Sequence, residues 1–164
     1  MRLCIDLCSG LGGFSQAFMD AGWEVITVDI EPKFKPTIRA DITKLTASEI
    51  EAKTKLGSFK AYEGILVLAS PPCTAFSLAA MNGWPRKGIR LGLEIVGAVM
   101  ELIAEIQPTY WVLENPRAHL RKFLGIPQTT VFYSDFFHSF PKPTDLWGNV
   151  PFGLAPIHSQ SFLS

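Results

Sequence analysis

The sequence predicts an α/β fold with a mainly parallel sheet of about seven strands and helices on both faces. Three observations predict it. Short apolar runs of strand length alternate with helically patterned stretches along the chain. One run, "GILVLAS", is continuously apolar, as a strand buried on both faces requires. Glycines, acids and a lone Pro-Pro-Cys cluster where the apolar runs end, which is where open α/β sheets bind ligands.

The elements follow in order. "RLCIDLC" reads as a strand, and "FSQAFMDAG" as a helix stopped at Gly22. "WEVITVDI" is a β-branched strand and "PTIRADI" a short third one. "TASEIEAKTKLG" has the marks of a capped helix, with Thr46 or Ser48 near its start and Gly57 at its end. After "GILVLAS", "LGLEIVGAVMELIAEIQ" carries apolar residues at helical spacing and ends before Pro108. "TYWVLEN" is the next strand, and "TTVFYSDFF" and "TDLWGNV" are two more. Residues 1–150 form one domain in this reading, and the Pro- and Gly-rich tail, 151–164, is left unplaced.

At 164 residues, 48% of them hydrophobic, the chain has the size and composition of a single domain with a real core. No apolar run is long enough to span a bilayer, and an acid interrupts the apolar start "MRLCIDLCSG", so no signal peptide is read. A soluble cytoplasmic protein, with no membrane partner, is expected. Lys plus Arg (15) equals Asp plus Glu (15), so nucleic-acid binding must come from a local patch or from a partner. An odd count of cysteines (Cys4, Cys8 and Cys73) suits a reducing compartment. Cys4 and Cys8, flanking Asp6 in an apolar run, read as small buried strand residues rather than metal ligands. His119, His138 and His158 are scattered, and no metal site is read.

The chemistry is placed at the strand ends. The first strand runs into "DLCSGLGGF", whose Gly10, Gly12 and Gly13 let a ligand approach the backbone. It is not the dinucleotide fingerprint, because Ser15 and Gln16 stand where the last glycine would fall. Asp29 and Glu31 close the second strand, where an acid can hold a ribose, and Asp41 closes the third. Pro71 and Pro72 stiffen the exit of the fourth strand and donate no hydrogen bonds, which delivers Cys73 at a fixed place. Glu114 ends an adjacent apolar strand, so a thiol and a carboxylate stand ready as nucleophile and acid. No histidine is placed to serve a cysteine protease, which discounts hydrolysis.

Taken together these residues resemble the cytosine-5 DNA methyltransferases, which use S-adenosylmethionine. "DLCSGLGGFSQAF" is similar to their DLxxGxGGF motif, "VDIE" and "ADIT" to the second and third motifs, "SPPCTAFS" to the PPCQxFS nucleophile motif and "VLENP" to the ENV motif, in the same order. The resemblance implies a Rossmann-like class I methyltransferase fold. It implies that Cys73 attacks C6 of a cytosine while Glu114 binds the N3 edge, with the target base out of the stack or single-stranded. It implies cofactor contacts from Asp6, Cys8, Ser9, Gly10, Leu11, Gly12, Gly13 and Phe14 in the first motif. Asp29 would hold the ribose, with Glu31 beside it, and Asp41 would meet the adenine amine between Ile30 and Ile42. Ser70 and Pro71 complete the cofactor set, and Pro72, Ser77, Asn115 and Arg117 are the implied substrate contacts.

The chain departs from the family pattern at named places. Cys8 replaces an aromatic, Thr74 a Gln and Pro116 a Val. Gln128 is followed by no QxRxR pattern, and "GNV" (148–150) only echoes the closing Gly-Asn-x-Val motif. "PTDLWGN" resembles a segment of small phage methyltransferase-like proteins, and the residues after Asn149 are too few for a target-recognition domain. The expectation is therefore a minimal, phage-like form that binds DNA weakly alone, with a specificity subunit or a homodimer as partner. Cytosine in RNA, a free nucleotide, and a non-catalytic cofactor-binding role remain open as alternatives. Arg86, Lys87 and Arg90, and Arg117, Arg121 and Lys122, are the local cations that follow strand ends and could meet phosphate.

Overall fold

In a computed structural model, residues 1–76, 86–132 and 143–151 are described. Chain order runs β1 (Arg2–Leu7), α1 (Gln16–Asp20), β2 (Glu24–Asp29), β3 (Ile38–Arg39), α2 (Ala47–Glu51), β4 (Gly64–Ala69), α3 (Arg86–Ile106), β5 (Tyr110–Pro116), α4 (Arg121–Leu124), β6 (Thr129–Phe132) and β7 (Pro143–Gly148). Ser77, His138, His158, the second half of "TTVFYSDFF" and the tail from 152 on lie outside the described residues.

The sheet has seven strands in the order β3-β2-β1-β4-β5-β7-β6. Strands β1 to β5 are mutually parallel, and β7 runs antiparallel between β5 and β6. The chain moves outward from β1 to β3 and then returns to place β4 on the other side of β1. That reversal opens a crevice at the carboxyl ends of β1 and β4. Alternation along the strands divides the core. Leu3, Ile5, Leu7, Val67 and Ala69 face α3, whose buried stripe is Val96, Val99, Leu102, Ile103 and Ile106. Cys4, Leu66, Leu68 and Val112 face the opposite side and are covered by Phe14, Phe18 and Trp23.

The structure differs from the sequence reading at two points and adds the strand order, on which that reading is silent. α2 begins at a capping box between Thr46 and Glu49 but stops at Glu51, well before Gly57. Its end is fixed by a distant partner: Glu51 Oε1 accepts from the Phe59 amide at 2.7 Å, which turns the chain away from the helix axis. Strand "TDLWGNV" inserts between β5 and β6 rather than extending the sheet in chain order. Gly148 permits that insertion, since a Cβ there would lie 2.2 Å from the Trp111 carbonyl oxygen. Cys8 is not a strand residue: β1 ends at Leu7, and Cys8 takes φ 57° as the chain leaves the sheet. Among the described residues no helix is long and apolar enough to cross a membrane.

Candidate active site

The glycine turn after β1 is tied to both neighbouring strands. The Ser9 amide donates to Val28 O at 3.0 Å, and the Ser70 amide donates to Leu7 O at 3.0 Å. Gly10 and Gly12 adopt φ of 52° and 74°, which side chains resist. Gly13 does not, and a Cβ on any of the three would meet nothing within 4 Å. The turn therefore faces open space, and the backbone conformation alone does not require glycine at 13. Asp29, at the end of β2, clamps this turn: Oδ2 accepts from Gly10 N at 2.8 Å and Oδ1 from Glu31 N at 2.8 Å. Asp6 is fully buried, and its Oδ2 accepts from Ser15 Oγ at 2.6 Å while Oδ1 has no hydrogen-bond partner. Burial pushes the Asp6 carboxyl up to about 6; the Ser15 bond pulls it down and the Asp29 charge adds to the rise. Burial likewise pushes the Cys8 thiol up to about 12, with Asp29 and Asp6 adding to it, which favours the protonated thiol at neutral pH.

A cleft of about 100 Å³ opens beside the turn, lined by Cys8, Val28, Asp29, Ile30, Ala40, Asp41, Ile42, Pro72 and Ile95. Five of the expected cofactor residues (Cys8, Asp29, Ile30, Asp41 and Ile42) thus meet in one place. Ile30 forms an exposed apolar lip and Ile42 a buried floor. Asp41 Oδ1 caps the turn that follows it, accepting from Thr43 N at 3.0 Å and Thr43 Oγ1 at 2.7 Å. Those bonds hold the Asp41 carboxyl below its ordinary value.

Other expected cofactor contacts sit elsewhere. Phe14 turns away and packs on the opposite sheet face with Phe18 and Trp23, because that face needs an apolar cover. Leu11 is exposed to solvent, and Glu31 contributes its amide rather than a wall of the cleft. Pro71, expected at the cofactor, is buried, and Pro72, expected on the substrate side, lines the cleft. The set still fits S-adenosylmethionine, which is cationic. Asp6 holds a buried carboxylate oxygen without a partner behind the turn rather than in the cleft wall, the glycine turn offers room for close backbone approach, and Ile30 and Ile42 offer apolar surface for a ring.

The nucleophile motif follows β4. Cys73–Ala75 form a single 3-10 turn, with the Phe76 amide donating to Cys73 O at 2.9 Å. Three contacts pin it. Phe76 is fully buried, Asn115 Nδ2 donates to Pro71 O at 3.0 Å, and the His119 amide donates to Phe76 O at 3.2 Å. Ala69 pairs with Leu113, so Glu114 stands at the strand end beside the one that delivers Cys73. Asn115, expected as a substrate contact, is buried beside the double proline, where its Nδ2 is committed to Pro71 O and its Oδ1 has no hydrogen-bond partner.

Two of the expected phosphate-facing cations are already committed. Arg121 forms a two-pronged ion pair with buried Asp145. Arg90 pairs with Glu94 on the exposed face of α3. Arg117 and Lys122 remain exposed. Gln128 donates to Val150 O at 2.6 Å, and Asn149 Oδ1 accepts from Trp111 N at 2.8 Å. Both close the sheet at the end away from Cys73, so neither "GNV" nor Gln128 joins the site. The sequence reading passed over the roles of Phe76, Ser15, Ile95 and Asp145. Asp145 lies in "TDLWGNV", a half-polar strand candidate in which an acid gives no sign of burial.

A parallel sheet with one antiparallel insertion, a glycine turn after β1 and acids closing β2 and β3 define a Rossmann-like class I methyltransferase fold. The chain belongs to the C-5 cytosine-specific DNA methylase family, whose sequence model matches residues 3–125. It is 32% identical over 127 residues to the type II methyltransferase M.HgiGI of Herpetosiphon aurantiacus, covering 72% of this chain and 94% of that one. A frog virus 3 protein assigned as a DNA (cytosine-5)-methyltransferase is 28% identical over 95% of this chain and 73% of its own length. Among solved structures, a candidate DNA modification methyltransferase from an E. coli prophage superposes with a TM-score of 0.62 at 21% identity, covering 92% of this chain and 47% of that one. Six further type II methyltransferases are longer, and the chain spans 27% to 47% of each.

Proposed function

We propose that the chain methylates cytosine at C5 in DNA, using S-adenosylmethionine and a covalent bond from Cys73 to C6. The observation that carries the reading is the pinned Cys73 turn, set beside Glu114 and across Pro72 from the cleft of Asp29, Ile30 and Asp41. One proline, Pro72, ends the cleft wall and caps the turn that holds the thiol. Nucleophile and cofactor cleft are therefore fixed to each other by a single stiff residue.

Cys73, as thiolate, forms a bond to C6, and the C5–C6 π electrons move toward N3 and C5. Glu114 holds the N3 edge and stabilises the charge that develops there. Held by Asp29, Asp41, Ile30 and Ile42, S-adenosylmethionine would supply an electrophilic methyl group to C5, its sulfonium S–CH3 bond breaking to leave the neutral thioether. Loss of the C5 proton then returns an electron pair to the ring, expels the Cys73 thiolate and restores the base. Reaching C6 from this rim requires the target base to be unstacked. Arg117 and Lys122 supply local positive charge, and the neutral chain has no general excess, so duplex binding by the isolated protein is weak and falls with salt.

5-Fluorocytosine tests this directly, because fluorine cannot leave C5 as a proton does and the thioether is trapped. With the cofactor present, intact-mass analysis should show an adduct with 5-fluorocytosine DNA for the wild type and none for Cys73→Ser. An adduct with RNA or the free nucleotide, and none with DNA, would transfer the reading to that substrate.

A further inference from the structure

We propose that Arg121 is a positioning residue for Cys73, acting through α4 and its buried partner Asp145. The proposal rests on the reading of Cys73 as the nucleophile. Asp145 is fully buried in β7, between Asn115 of β5 and Thr130 of β6. Its two oxygens accept from Nε and Nη2 of Arg121, the latter at 2.6 Å. Thr130 Oγ1 completes the set, accepting from Arg121 Nη2 at 3.0 Å and donating to Asp145 Oδ1 at 2.8 Å. A forked pair fixes orientation as well as distance, which a point charge does not. Only the Asp145 end of the pair is buried, Arg121 being 33% exposed, and burying a carboxylate is seldom the most stable filling for such a space, so the geometry invites a role beyond stability.

The geometry leads to the nucleophile by two routes. Asp145 pairs directly across the sheet with Asn115, whose side chain holds the Pro71 carbonyl two residues before Cys73. Arg121 also opens α4, which carries Phe123 against Phe76, the ring centroids 6.3 Å apart. The turn leading into α4 adds the His119 amide on the Phe76 carbonyl. Phe76 ends the Cys73 turn, so the ion pair braces that turn from entry and exit alike. Double commitment to Asp145 also removes the fork of Arg121 from the phosphate contact expected from sequence.

The test uses the full chain and two variants. Arg121→Lys keeps the charge and loses the fork. Arg121→Gln with Asp145→Asn removes both charges and leaves no carboxylate buried without a partner. S-adenosylmethionine binding by calorimetry reports folding, and DNA binding is titrated with salt. Cys73 is followed by its adduct rate with 5-fluorocytosine DNA and by its alkylation rate with iodoacetamide, read on its own peptide by mass. Both variants should bind cofactor as the wild type does and keep its salt slope. Adduct formation should slow by roughly ten- to a hundredfold, the scale of a small misplacement at a reacting centre. Alkylation should quicken, because an unbraced turn exposes the thiol. Wild-type rates in both thiol assays, a flatter salt slope with unchanged rates, or loss of cofactor binding in both variants each overturn the proposal. If the wild type forms no adduct, the functional reading fails, and the alkylation rates still decide whether Arg121 positions the thiol.

Discussion

On the side proposed for the cofactor, the carboxylates take their partners within 19 residues of chain, with one Asp6 oxygen left unpartnered. Asp29 holds an amide 2 residues away and another 19 away, Asp41 caps Thr43 and Asp6 takes Ser15. On the nucleophile side the anchoring groups come from afar. Pro71 is held by Asn115, 44 residues on, and Arg121 finds Asp145 after 24 residues and an intervening strand. The first half is a local motif that the sheet positions; the second is assembled by the sheet itself. Perturbing either half should therefore fail differently.

The largest expected effect lies on the assembled side. Arg121→Gln alone leaves buried Asp145 with the Thr130 hydroxyl but no cation, and should destabilise the fold by about 3 kcal/mol in chemical denaturation, the low end for a broken pair because Arg121 is itself 33% exposed. A loss below about 1 kcal/mol would mean that the carboxylate relaxes to another partner. Next comes Asp29→Ala on the local side. It frees two backbone amides of charge-assisted bonds worth about 1.5–3 kcal/mol each. Cofactor affinity by calorimetry should fall roughly ten- to a hundredfold, while iodoacetamide alkylation of Cys73 stays at the wild-type rate. Equal sensitivity of both readouts to both substitutions would erase the distinction between the halves.

Asn115→Ala should be smaller, about 1–3 kcal/mol, because it removes a single buried bond to the Pro71 carbonyl. It should slow adduct formation without weakening cofactor binding. The smallest effect is a pH dependence at Asp6. Its carboxyl, raised from 3.8 to about 6, binds a proton more readily in the folded state. Its contribution to the stability of the free protein is thus fully present below about pH 4 and is lost as pH rises through 6. A cationic ligand favours the charged form, so S-adenosylmethionine affinity should increase between pH 5 and 7 with a midpoint near 6. Asp6→Asn should flatten that rise, and a rise that survives the substitution would move the titration to another group.

The same division governs what the sequence revealed. β1, β2, β4 and β5 were visible as apolar runs, and the glycine turn, Pro-Pro-Cys and Glu-Asn could be placed at their ends because local patterning determines both. The position and direction of β7 could not, since they depend on pairing with β5 and β6 and on the close approach that Gly148 allows. With β7 unplaced, Asp145 had no visible burial and Arg121 looked like a free surface cation. α2 was read too long for a similar reason: Glu51 is drawn to the Phe59 amide, a contact outside the helical pattern. Phe14 lies in a motif that pointed to the cofactor, but its side chain answers to the bare face of the sheet.

The central claim is that the two halves meet in a transfer to carbon. Incubating the protein with S-adenosylmethionine and duplex DNA at low salt, then digesting the DNA and separating its nucleosides by mass spectrometry, measures that transfer. The wild type should yield 5-methylcytosine, and Cys73→Ser should yield none while retaining cofactor affinity. A methyl group on the exocyclic nitrogen, or 5-methylcytosine made at the wild-type rate by Cys73→Ser, would contradict it.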